Sequence, residues 1–190
     1  MEITERLDNI EKLLNEAKTK IDRALADCPP FLKTQNRPAL SFYHANAKGT
    51  GCAAIFQIQP ADKTEDGHLN LSLAPQMTVG SATNFPRFDF ANAISVKLDF
   101  DDIAKMLQVF RGECESVNGE HGLYHRKTDG SYKIQLRHLI DPVSGYSLEI
   151  HHAPAGESDE RKANILMSNS ESLGLCEAIA GAMYLIAFGR

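Results

Sequence analysis

From Ile3 to Asp27 the apolar residues return every three or four positions: Ile3, Leu7, Ile10, Leu14, Ala17, Ile21 and Leu25, with Leu13 and Ala24 beside them. That period predicts an amphipathic helix, with Thr4 available as N-cap and Pro29-Pro30 as its stop. The spacing is close to a heptad over about three heptads, which suits either a helix docked on its own domain or an oligomerisation helix. From Pro38 the period changes to alternation. CAAIFQIQP (52–60), HLNLSLAP (68–75) and AISVKLDF (93–100) read as strands. In the second, Leu69, Leu71 and Leu73 oppose Asn70 and Ser72; in the third, Ile94, Val96, Leu98 and Phe100 oppose Ser95, Lys97 and Asp99.

A helical stripe follows: Ile103, Met106, Leu107 and Phe110, with Asp99 or Asp101 as cap and Gly112 as stop. Alternation then returns in GLYHR (122–126), SYKIQLRHLI (131–140), GYSLEIHH (145–152) and ANILMS (163–168), and APAGESDERK (153–162) reads as a loop. The chain closes on SNSESLGLCEAIAGAMYLIAFGR, capped by Ser168 or Ser170 and apolar nearly all round, which predicts a buried helix. The expected class is α+β: two four-stranded antiparallel sheets packed across each other, each followed by a helix, in residues 38–190, preceded by an N-terminal amphipathic helix in residues 1–30.

Composition narrows the function. The chain has 190 residues, 43% hydrophobic and 24% charged, as in ordinary globular domains. The N-terminus MEITERLDNIEK has no apolar core of a secretory signal, and no uninterrupted apolar run approaches the roughly 18 residues of a membrane span. Four scattered cysteines without a CxxC pair point to reduced thiols in a cytoplasmic setting. The net charge of −5 lacks the basic footprint of duplex binders. Catalytic patterns are missing too: there is no P-loop, GxSxG or GxGxxG. His121 and His125, four apart on a strand, stand roughly 13 Å from each other, too far to share a metal. No enzyme, metal or cofactor is expected.

Several stretches, taken in order, resemble the Whirly family of single-stranded-DNA-binding proteins and, more loosely, guide-RNA-binding proteins of the same fold. KGTGCAAIFQIQP (48–60) is similar to the family's lysine-glycine-lysine-alanine-alanine strand, and GHLNLSLAP (67–75) to the strand after it. FPRFDFANAISVKL (85–98) stands where the family has an arginine-tyrosine-aspartate-tryptophan stretch, and DFDDIAKMLQ where its first helix begins. GLYHR, SGYSLEI and the closing apolar helix follow in place. The chain departs at Thr50, where the motif has a second lysine, and at the extra Gly51.

The resemblance implies a ring of four protomers, with single strands lying in grooves between the sheets of neighbours. Stacking on aromatics holds bases without regard to sequence, at about 1–3 kcal/mol per base. The expected partners are therefore single-stranded DNA or RNA and further copies of the chain. The expected contact residues are Lys48, Phe85, Arg87, Phe88, Lys97, Lys133, Gln135 and Arg137, with Phe90 sealing a core corner. The rival reading is an oligomeric scaffold of the same fold that binds no nucleic acid, which the acidic charge favours.

Overall fold

The computed structural model describes residues 39–142, 144–156 and 159–189. The expected N-terminal helix and Cys28 lie outside the described residues. Nine strands and two helices are described: β1 (Ala39–His44), β2 (Cys52–Gln59), β3 (His68–Thr78), β4 (Arg87–Phe88), β5 (Ile94–Leu98), α1 (Phe100–Phe110), β6 (Leu123–Lys127), β7 (Gly130–Leu139), β8 (Gly145–Pro154), β9 (Arg161–Met167) and α2 (Asn169–Phe188). All pairings are antiparallel. The first sheet runs β1-β2-β3-β5, with β4 pairing the far end of β3; the second is the meander β6-β7-β8-β9.

The expected α+β architecture is present, with one strand more than the pattern suggested. β3 continues past Pro75 to Thr78, and its extension pairs with Arg87 and Phe88. Two residues are too few to show a period. Phe100 leaves the strand face on which alternation put it: Asp99 caps α1, and Phe100 begins the helix half exposed.

One core joins the parts. Phe56, Leu71 and Val96 of the first sheet, Ile134, Leu148 and Ile165 of the second, Met106 of α1 and Ile179 of α2 all belong to it. Both helices start on capping boxes. Asp102 N–H donates to Asp99 Oδ1 at 2.9 Å, and Asp99 N–H returns a bond to Asp102 Oδ2 at 3.2 Å. In α2, Ser168 N–H donates to Glu171 Oε2 at 2.9 Å and Glu171 N–H to Ser168 Oγ at 3.3 Å.

Two expectations fail. β2 is closed on both faces: Ala53 and Ile55 are as buried as Ala54 and Phe56, and Gln57, Gln59 and Ser72 are buried with them. The unbroken apolar run CAAIF is the pattern of a strand covered on both sides, so the middle of this sheet offers no open polar face. α2, in turn, is not buried all round. Leu175, Cys176, Ile179, Ala182 and Ile186 enter the core, while Leu173, Tyr184, Leu185 and Phe188 stay exposed. Its length and mean hydropathy of 1.4 would suffice to cross a membrane, yet one side of it is packed into the core.

Candidate nucleic-acid interface

The turn after β1 is built by two amides. Asn46 Oδ1 accepts from Lys48 N–H at 3.0 Å and Thr50 N–H at 3.1 Å, an Asx turn. Buried Gln76, from β3, accepts from Asn46 N–H at 2.9 Å and Gly51 N–H at 3.1 Å, and donates to Asn46 O and Thr78 O at 3.0 Å each. Gly51 makes room for this: a Cβ there would lie 2.1 Å from His44 O and 2.4 Å from Gln76 Oε1. Thr50 is spent on the turn, its Oγ1 accepting from Asn46 Nδ2 at 3.0 Å. Lys48 is left exposed at the tip.

Beside this tip lies an aromatic corner. Tyr43, 56% exposed, meets Phe88 at a centroid distance of 5.7 Å and Phe90 at 6.5 Å, and Phe88 meets Phe90 at 6.4 Å. Backbone bonds hold the segment in place: Arg87 N–H donates to Thr78 Oγ1 at 3.1 Å and Asp89 N–H to Pro75 O at 2.8 Å. The Arg161 guanidinium caps the following turn by donating to Asn92 O. Phe85, 92% exposed, stands just before β4, and Met77 and Val79 are about half exposed on the neighbouring end of β3. Phe88 and Phe90 therefore share one half-buried trio rather than dividing between groove and core. Alternation in ALSFYH, with Phe42 inward, is the signal that puts Tyr43 outward.

The predicted cations do not gather along one groove of this chain. Lys48 and Arg87 flank the corner. Lys97 pairs with Asn70, toward the opposite end of β3, roughly 20 Å away at 3.3 Å per residue. Its ammonium lies 2.5 Å from Glu65, a bond that holds the Glu65 carboxyl below the usual range. Lys133 and Arg137 are exposed on the second sheet, with Tyr124 opposite Lys133 on β6.

Gln135, expected between Lys133 and Arg137 on the open face, is buried. The segment between α1 and β6 folds over it: Ser116 bridges to Arg137, and Gln135 Nε2 donates to Gly119 O at 2.8 Å. The Lys133 ammonium also reaches this segment, at Glu120 O, 3.1 Å away.

Two further titratable groups sit inside the fold. His125 Nε2 lies 3.0 Å from Asp102 Oδ2, tying β6 to the first turn of α1; burial pushes the Asp102 carboxyl up. Burial also pushes the Cys52 thiol up to about 12, which leaves it protonated and unreactive. Among the described residues no group of three or more His, Cys, Asp or Glu side chains could hold a metal ion.

No protein-family sequence model matches the chain, and no curated protein does either. Solved structures match in fold. WHY1 from Arabidopsis thaliana is 15% identical, with a TM-score of 0.64 over 82% of this chain and 88% of that one. The plant transcriptional regulator PBF-2 is 15% identical, with a TM-score of 0.59 over 80% and 83%. A guide-RNA-binding protein complex, solved bound to a guide RNA, is 17% identical, with a TM-score of 0.54 over 83% and 98%. The fold is Whirly-like.

Proposed function

We propose that this protein binds single-stranded nucleic acid, DNA before RNA, with little regard to sequence, as a homo-oligomer serving DNA metabolism or transcription control. The observation that carries the reading is the aromatic corner of exposed Tyr43 and half-buried Phe88, with exposed Phe85 just before β4 and with Lys48 and Arg87 near it. Rings of this kind offer stacking to any base, and the two cations meet the backbone on either side. Support comes from a fold shared with a complex that holds a guide RNA.

Assembly has its own support. Leu173, Tyr184, Leu185 and Phe188 make an exposed apolar face on α2, with the Tyr184 and Phe188 rings 5.5 Å apart. Apolar side chains left exposed in this way suit a protein contact, and a ring of four protomers would cover them. The same face favours the second reading, a scaffold that needs partners whether or not it holds a strand. The chemistry calls for no cofactor and no catalysis, and the free thiols of Cys52, Cys114 and Cys176 suit a cytoplasmic setting.

Fluorescence anisotropy with a labelled thirty-nucleotide mixed-sequence strand, against its duplex, at low and physiological salt, tests the reading. Tight binding to the single strand with weak duplex binding is expected. Equal affinity for the duplex would contradict it, and no binding by an intact oligomer would leave the scaffold.

A further inference from the structure

The open face of the second sheet holds a row that the aromatic corner does not use. Strand register aligns Tyr124 of β6 with Lys133 of β7, Lys133 with His151 of β8, and His151 with Lys162 of β9. A strand crossing this sheet meets the four side chains in turn, one about every 4.8 Å. Three of them are already engaged, Lys133 with the Glu120 carbonyl and the other two with carboxylates. Lys162 Nζ donates to Glu149 Oε2 at 2.8 Å, the other oxygen of Glu149 lies against His151 Nε2, and Glu160 Oε1 lies 2.8 Å from His151 Nδ1.

Burial would push Glu149 up, yet the bonds from Lys162 and His151 hold its carboxyl below the usual range. Around the ring stand Lys133 from β7, Lys162 from β9, Glu149 from its own strand and Glu160 from just before β9. The two lysines and two carboxylates cancel, so the row presents almost no net charge to the solution. A carboxylate oxygen and a phosphodiester oxygen make the same demand on such donors: a short, charge-assisted N–H bond.

We infer that Lys133, His151 and Lys162 form a phosphate-accepting row for a single strand, and that Glu149 and Glu160 occupy it as internal competitors. The inference rests on the single-strand reading and adds to it a second contact whose strength the protein's own carboxylates restrain. An arriving strand must displace Glu149 and Glu160 before the row can hold it. Neutralising them therefore exposes cations that the free protein keeps engaged.

The test is anisotropy with a labelled thirty-nucleotide oligo-thymidine across a salt series, on the full chain, with circular dichroism to check folding. The pair Glu149→Gln/Glu160→Gln should bind at least fivefold tighter at physiological salt. Its plot of log affinity against log salt should steepen by about 0.7, because one further cation, Lys162, contributes about that much on single strands. Glu113→Gln/Glu177→Gln, which removes two exposed acids away from the row, controls for overall charge and should stay within twofold of wild type. Adding Lys162→Ala to the pair should return most of the gain. Wild-type binding with a pair variant no different from the Glu113→Gln/Glu177→Gln control would overturn the row and leave the corner standing. A gain that survives Lys162→Ala would overturn it too. If neither wild type nor the pair variant binds, the row and the single-strand reading fall together.

Discussion

The corner of the first sheet and the open face of the second are surfaces of two different kinds. At the corner, Tyr43 and Phe85 expose rings, Lys48 and Arg87 stand near, and Asp89 turns its carboxylate to the Asn92 backbone and side-chain amides. Across the second sheet the cations are more numerous, but Lys162 and His151 face Glu149 and Glu160. On the proposed reading the first surface would act by stacking, which salt hardly touches, and the second by charge, which salt screens. A net charge of −5 over the whole chain describes neither. What a strand meets is set by which acids lie within bonding distance of which cations.

Four predictions press on that contrast, from the largest expected effect to the smallest. Replacing Tyr43 and Phe85 together with alanine should weaken single-strand binding about a hundredfold with little change in salt slope, since two stacking contacts at about 1–3 kcal/mol each are lost. Phe85 is almost wholly solvent-exposed, so unfolding cannot explain its share. An unchanged affinity in titrations of that variant would move the site off the corner. Next, Gln76→Ala removes four bonds and leaves part-buried turn amides without that partner, at about 2 kcal/mol of stability. Urea denaturation should show that loss, and corner binding should weaken with it; a stability within 0.5 kcal/mol of wild type, on the scale of an ordinary surface change, would mean the turn does not need the amide.

Smaller still, Lys133→Ala/Arg137→Ala should cost about tenfold in affinity and flatten the salt slope by about 1.4. A larger loss here than from the aromatic pair would invert the comparison. The last concerns acid. Glu171 is pushed up by burial, but bonds from Ser168 and His44 more than offset this, and its carboxyl sits below the usual range. A lowered folded-state pKa gives stability that is complete above the ordinary carboxylate range and lost as pH falls through the folded value. Glu149 acts in the same sense, while Asp102, raised by burial, acts in the opposite one. Glu171→Gln should therefore flatten the acid limb of a stability-versus-pH curve by about 1 kcal/mol, the scale of a helix cap. Superimposable wild-type and variant curves below pH 5 would refute it.

Much of the fold was legible because period is a property of local sequence. The Ile103, Met106, Leu107 stripe, the Asp99 cap and the alternation of GYSLEIHH each needed only their own residues. What could not be read depended on distant chain. Gln135 alternates with Tyr132 and Ile134 like any outward residue; only the segment 116–122 folding over it makes it buried. α2 is apolar on both sides, and such a pattern cannot say which side meets the core and which a neighbour. Tyr43 was missed because β1 appeared only as a change of period, and its partners Phe88 and Phe90 lie more than forty residues on. Glu149 and Glu160 needed the register of β8 and β9 to be seen beside His151 and Lys162.

That register also bears on how the chain finds its fold. Every neighbour in the second sheet is the next strand in sequence, joined across Lys127 to Gly130, Leu139 to Gly145 and His152 to Arg161. The first sheet must bring Ile94 back to Leu73 across the whole of the FPRFDF segment, a closure costing about 1 kcal/mol more in chain entropy. Local pairings of that kind form fast and non-local ones slowly. The charged sheet thus has the topology of an early template, whereas the first sheet is complete only once β5 has returned to β3.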